Sequence, residues 1–286
     1  MTIAVSIKVH DGVVLAADSA STLFGSKGVI NVYNNANKVF NLYKTLPIGA
    51  ITYGLGGIGN ASISTLMKDL RKRLMGKAPG FDDWKINKDN YLMEDIAQTV
   101  RDYYYEDLYL PEYQHRDLKP MLGFIIAGYS SNGDLAEEFR VEIIDGKCSE
   151  PKPIRAKEQA GISWGGEGEA ISRIVFGFGM KLPDALSEMG IKPEEIQAAV
   201  DFLRSRLELE FNPPAMHIQD AIELAEFLVN TTIMFSRFTP GAPTVGGPIE
   251  IATITKHEDF KWVKRKHYWE EKYNPREILQ FHQDGD

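Results

Sequence analysis

A chain of 286 residues, 43% hydrophobic and 25% charged, has the composition of an ordinary globular protein, with room for one large domain or two small ones. Its formal net charge of −8 gives nucleic acid no electrostatic hold, so small molecules, peptides or proteins are the expected ligands. One cysteine, Cys148, excludes an internal disulfide and fits a reducing compartment; with no leader pattern and no run approaching a membrane span, a cytoplasmic location without a membrane partner is expected.

The chain opens with two short apolar runs, 3–9 and 13–17, flanking His10-Asp11-Gly12. An Asp-Gly pair between β-rich runs predicts a hairpin, because it accepts the positive φ angles of a tight turn. Such a hairpin brings Asp18 back beside Thr2. Residues 19–33 are polar and glycine-containing and read as a loop or irregular strand, 38–43 as a strand, and 48–54 as a buried strand of small residues. The glycine-rich stretch Gly54-Leu55-Gly56-Gly57-Ile58-Gly59 reads as a flexible loop entering a helix. That helix carries Ile63, Leu66, Met67, Leu70 and Leu74 on one face, with Lys68, Arg71, Lys72 and Arg73 opposite. A second helix is expected over about 93–108, with Ile96, Val100, Tyr104 and Leu108 inward and Pro111 ending it.

Residues 121–128 read as a buried strand, 130–134 as a turn, and 139–144 as a returning strand that alternates Phe139, Val141 and Ile143 with charges. A loop runs from there to Gly165-Gly166-Glu167-Gly168, where a helix starts. Residues 183–207 hold a short helix and a longer one with Ile196, Val200, Leu203 and Leu207 periodic; 220–235 is a further helix, and 249–255 closes the set as a strand. This order predicts an α+β domain over 1–259, in which two antiparallel sheets between helix layers would bury every apolar face. The charged, aromatic stretch 260–286 reads either as a solvated helical extension or as a subunit-contact arm rich in residues favoured at interfaces.

Thr2 carries its own chemistry. If the initiator methionine is removed, one residue holds both a hydroxyl nucleophile and an α-amine of pKa roughly 7.7–8.0 that can serve as its base. Thr2, the hairpin, Asp18 and Ser19-Ala20-Ser21-Thr22 together resemble the opening of a proteasome β-type subunit, of the N-terminal-nucleophile (Ntn) hydrolase superfamily. Lys38-Val39-Phe40, Gly56-Gly57-Ile58-Gly59-Asn60-Ala61 and Val245-Gly246-Gly247-Pro248-Ile249-Glu250-Ile251 fit in the same order, the last block being most similar to the bacterial ancestral proteasome-like branch. The resemblance spans most of 2–255. It implies a four-layer αββα sandwich of two antiparallel sheets between helix layers.

It also implies a threonine-type endopeptidase without cofactor, forming a homo-oligomeric ring or barrel around an inner chamber. The substrates would be peptides or unfolded proteins, and an ATPase regulator is a candidate partner. Residue by residue, Thr2 would be the nucleophile, Lys38 would favour its alkoxide, and Asp18 would hold and pair the lysine. Gly56 would offer its N–H to the oxyanion, Thr22 would bind the substrate backbone as an added strand, and Gly54 would open the first specificity pocket. The sequence departs from the family twice. Gly166-Glu167-Gly168 stands where a Ser-Gly pair is usual, and Ala242 and Val245 stand where an Asp and a Ser are usual. Glu167 is the candidate replacement for orienting the threonine amine.

Taken singly, each residue has an ordinary reading: Thr2 a strand residue, Asp18 a turn former, Lys38 a surface lysine, Gly56 a strand-to-helix turn, Glu167 a helix-start acid. A silent relative acting as scaffold or assembly subunit, and a small-amide amidohydrolase, are the alternative functions. The six histidines are scattered without a metal-binding pair, so no metal is expected. Nothing around Cys148 marks it as a nucleophile.

Overall fold

In the computed structural model, which describes residues 2–25, 28–211 and 213–267, the opening hairpin sets the architecture. Strand β1 (Ile3–Val9) pairs antiparallel with β2 (Gly12–Ala17), with Val9 opposite Gly12. The two loop residues are therefore His10 and Asp11, not the Asp-Gly pair, and neither has a positive φ. Gly12 serves a different need: a Cβ there would lie 2.4 Å from the carbonyl oxygen of Ile254 on a neighbouring strand, so the glycine permits close backbone approach.

Residues 19–33 are more regular than the sequence suggests. They form a hairpin of β3 (Ser21–Gly25) and β4 (Gly28–Tyr33), irregular between Leu23 and Phe24. The strand expected over 38–43 is shorter, β5 (Val39–Asn41), and pairs with β6 (Ile48–Gly54). The glycine loop folds into a small hairpin, β7 (Gly57–Ile58) and β8 (Ala61–Ser62), before α1 (Ile63–Leu74). The Ser62 hydroxyl caps α1 by accepting the Thr65 N–H at 3.2 Å, and Ile63, Leu66, Met67, Leu70 and Leu74 form its buried face as expected.

The second helix does not stop at Pro111. It runs as α2 (Met93–Arg101), widens to a π-helical stretch over Asp102–Tyr109, and continues as α3 (Leu110–Tyr113). Pro111 falls where the π-helical stretch passes into α3, inside the continuous helix and not at its end. Strands β9 (Leu122–Gly128) and β10 (Glu137–Ile144) follow, with short β11 (Lys147–Cys148) and β12 (Lys152–Pro153) pairing onto β10. The expected loop before Gly165 contains a strand, β13 (Gly161–Gly166), which pairs along β1 from Lys8 to Ile3.

Helices α4 (Glu169–Val175), α5 (Leu182–Glu188), α6 (Pro193–Leu207) and α7 (Ile218–Phe238) precede the final strands β14 (Glu250–Thr255) and β15 (Asp259–Lys264). The periodic face of α6 is not buried: Ile196, Val200 and Leu203 are half-buried and Leu207 is 47% exposed. Residues 259–264 correct the helical reading of the tail, because β15 pairs with β14 from Asp259 to Lys264 and extends the sheet. Tyr268, Trp269 and Tyr273, which suggested a contact arm, lie outside the described residues.

Two antiparallel sheets result, ordered β13-β1-β2-β14-β15 and β11-β10-β9-β6-β5, beside the small hairpins. Side chains alternate on β1. Ile3, Val5, Ile7 and Val9 meet Ile171 of α4 and Ala225, Leu228 and Val229 of α7. Ala4 instead packs with Val13, Leu15 and Ala17 against Val39, Ile51, Tyr53, Ile125 and Ala127 of the other sheet. The far side of that second sheet, with Ile48, Ala50, Phe124 and Ile126, packs with the buried faces of α1 and α2. The architecture is a mixed α/β one of antiparallel sheets and helices. No helix among the described residues is long and apolar enough to cross a membrane.

Candidate active site

The hairpin register sets Asp18 beside the start of β1. The Asp18 N–H donates to the Ile3 carbonyl at 3.2 Å, and the Ile3 N–H donates to Asp18 Oδ1 at 3.0 Å. Oδ1 also receives Lys38 Nζ at 2.6 Å, while Oδ2 receives the N–H groups of Ala20 and Gly246, each at 3.0 Å. Asp18 is fully buried, yet its carboxylate accepts four hydrogen bonds, which is what keeps a charge tolerable there.

Lys38 precedes β5, and its carbonyl accepts the Thr52 N–H of β6 at 3.0 Å, fixing the stem from which its ammonium reaches Asp18. Burial pulls the Lys38 pKa below its ordinary value. The adjacent Asp18 carboxylate opposes that shift, Lys266 adds to it, and Glu250 works against it. A buried, paired lysine of this kind can stabilise a neighbouring developing anion.

Thr2 is 4% exposed and lines a cavity of about 280 Å³ together with Lys38, Thr22, Gly54 and Gly56. Its carbonyl accepts the Glu167 N–H at 2.7 Å. Gly166, with φ +90°, has no room for a Cβ, which would sit 1.9 Å from that same carbonyl oxygen. Five of the seven predicted site residues therefore meet at one cavity, with Asp18 behind it, bonded to Lys38. Glu167 is tied to Thr2 through its backbone, and its half-buried carboxylate makes no hydrogen bond among the described residues.

Gly54 and Gly56 are glycines for identifiable reasons. Gly54 has φ +90°, and a Cβ would meet the Met121 carbonyl oxygen at 2.4 Å; at Gly56 it would press on Ser21 Oγ at 3.1 Å. The Gly56 carbonyl accepts the Ile63 N–H at 3.0 Å, while no described residue accepts from the Gly56 N–H. Thr22 donates from Oγ1 to the Thr244 carbonyl at 3.4 Å, which joins β3 to the segment before β14. Val245, at one of the positions where the sequence departs from the family pattern, is buried and apolar.

Several surrounding residues escaped the sequence reading. Tyr53 lines the cavity, donates to Glu142 Oε1 at 2.7 Å, and spreads over Gly123 and Gly165; burial pushes its phenol far above its usual pKa. Lys266 donates to Ser19 Oγ at 2.7 Å and to the Ala36 carbonyl at 2.8 Å, and pairs with buried Glu250 at 3.0 Å. Ser19 in turn donates to the Pro248 carbonyl at 2.5 Å. The one signal for this group was the adjacency of Ser19 to Asp18; Lys266 reaches the site only because β15 joins the sheet. Cys148 is remote from it, and burial raises its thiol to about 11.

No protein-family model matches the chain, and no curated protein does. Among solved structures it is similar to a Gly-1 mutant of Anbu from Hyphomicrobium sp. strain MC1, a bacterial ancestral proteasome-like protein. The two share 17% identity over 93% of this chain and 86% of that one, with a TM-score of 0.50. At that identity the likeness concerns fold alone. The antiparallel sheets and helices described above are consistent with a proteasome-like α+β fold.

Proposed function

We propose that the chain is a threonine-type Ntn hydrolase that cleaves peptide bonds, built as a four-layer αββα sandwich. The observation that carries this reading is the buried Lys38–Asp18 pair at 2.6 Å, with Lys38 opening onto the cavity that Thr2 also lines. In this mechanism Met1 is removed and the freed α-amine of Thr2 accepts the hydroxyl proton. Thr2 Oγ1 then attacks the scissile carbonyl carbon. The charge of the Lys38 ammonium favours the alkoxide, and Asp18 holds that ammonium in place.

The oxyanion of the tetrahedral intermediate takes a hydrogen bond from the Gly56 N–H. Collapse breaks the C–N bond, the leaving amine receives the proton from the Thr2 amine, and an ester remains on Thr2. Water, deprotonated by the same amine, cleaves that ester and regenerates the hydroxyl. Thr22 holds the substrate backbone, and Gly54 leaves the first side-chain pocket open. A homo-oligomeric ring accompanies this reading. Its mass in solution tests that part.

A second reading, a silent scaffold of the same fold, draws on Val245 and Ala242, which supply no polar group near the Thr2 amine. Intact mass after incubation with a threonine-directed epoxyketone, on protein without an N-terminal tag, separates the two. Hydrolase chemistry predicts loss of Met1 and one adduct that Thr2→Ala abolishes. Met1 absent with no adduct supports the scaffold.

A further inference from the structure

Behind the candidate site lies a larger groove of about 740 Å³, bounded by β5, α1, β15 and the residues just after it. It shares Asn37 with the catalytic cavity. Its walls carry Lys44, Lys68, Arg71, Arg265 and Lys266, against one carboxylate, Glu250, that Lys266 already pairs. Lys44, Lys68, Arg71 and Arg265 have no ion pair among the described residues.

On α1, Lys72 pairs with Asp69 at 3.7 Å and Arg73 with Asp107 at 3.5 Å. The sequence holds 40 acidic residues to 32 basic ones, yet among the described residues Glu250 is the one carboxylate that lines this groove. Arg71 is half-buried and within the field of Arg265; burial and that like charge both act against its protonated form. Arg265 itself lies over the Trp262 ring at 4.8 Å, which holds its guanidinium at the groove wall.

We propose that this groove is a binding site for a compact polyvalent oxyanion of the phosphate class, held by Arg71 and Arg265 with Lys68 and Lys44 around it. Guanidinium forks match phosphate oxygens in pairs, and ammonium groups add charge without strict geometry. A single phosphate is small beside a groove of about 740 Å³, whereas a linked set of phosphates can meet all four cations. Nucleic acid is the poorer fit, because the net charge of −8 repels an extended polyanion everywhere outside the groove. The inference stands apart from the hydrolase reading and does not need Thr2 to be a nucleophile.

Isothermal titration of the full chain with sodium triphosphate tests it, at about 50 mM and about 200 mM salt. One saturable site that weakens as salt rises is expected. Removing a charged hydrogen-bond donor by Arg71→Gln is expected to weaken binding about tenfold or more. Lys68→Gln and Arg265→Gln, both at exposed positions, give the same test where the fold is not at risk. Lys72→Gln, a paired cation on the same helix, should leave binding unchanged. A parallel titration with metal-free ATP distinguishes sources: tighter ATP binding assigns the ligand to nucleotides, and equal binding assigns it to bare polyphosphates. No saturable binding, or binding that survives all three groove variants undiminished, overturns the proposal.

Discussion

Replacing Asp18 by asparagine isolates the electrostatics of the site. The side chain keeps its shape, but Lys38 loses its counter-charge while both residues stay buried. Breaking a buried ion pair from one side typically costs about 3–5 kcal/mol, because an uncompensated charge is left in a poorly solvated place. Asparagine also turns one acceptor into a donor, where Asp18 now receives the N–H groups of Ile3, Ala20 and Gly246 as well as Lys38. Urea unfolding followed by tryptophan fluorescence at neutral pH measures the loss. A second prediction follows from the pair. Lys38→Met on top of Asp18→Asn should cost much less than the two single changes added together, because no lone charge remains.

The pH dependence has a definite sign. The folded-state pKa of Lys38 is already lowered by burial, and removing Asp18 removes its largest opposing influence. The unfolded variant then binds more protons than the folded one over the interval between the lowered value and the ordinary lysine value. Stability rises with pH wherever the unfolded state holds the extra proton. The Asp18→Asn penalty should therefore be large at neutral pH and shrink as pH climbs through that interval. A loss below about 1 kcal/mol at neutral pH, or one that grows with pH, would refute the reasoning.

Other substitutions probe separate parts of the site. Gly166→Ala places a Cβ against the Thr2 carbonyl at a φ of +90°, so strain of about 1–3 kcal/mol and loss of epoxyketone labelling at Thr2 are expected, read by thermal unfolding and intact mass. Tyr53→Phe removes the bond to Glu142 and should lower stability by about 1.5–3 kcal/mol, as for other hydrogen bonds to charged groups; an unchanged urea midpoint counts against it. The Cys148 thiol, raised to about 11, should react slowly with a thiol reagent at pH 7 and faster as pH approaches that value, whereas rapid labelling at neutral pH would contradict its half-buried setting.

What could be read from the chain alone depended on the range of the interactions involved. The return of Asp18 to the start of β1 was visible because an Asp-Gly pair stands between two β-rich apolar runs, although the loop residues proved to be His10 and Asp11. The reason for Gly12 was not, since it lies in the carbonyl of Ile254, far along the chain. Strand β13 was hidden because Gly161, Gly165 and Gly166 interrupt any alternation; Gly165 is there to let Tyr53 lie against it. The pairing of Lys38 with Asp18 came from family resemblance, not from spacing, because no local pattern shows which lysine reaches a buried acid. Lys266 went unnoticed for the same reason. On α6 the helical period was right, but periodicity reveals only a potential face, and that face is left largely uncovered.

The Asp18 carboxylate also sets the order in which the site can come into being. Its ligands come from both ends of the chain, and the Gly246 N–H lies 228 residues beyond it. At roughly 5–20 residues per second, a ribosome needs about 10–50 s to travel from one to the other. Throughout that interval the opening threonine can already be present, but the acid that would steady its lysine is missing a ligand. A nascent or truncated chain that lacks residue 246 thus leaves the Asp18 carboxylate one hydrogen bond short of the four it accepts in the folded chain.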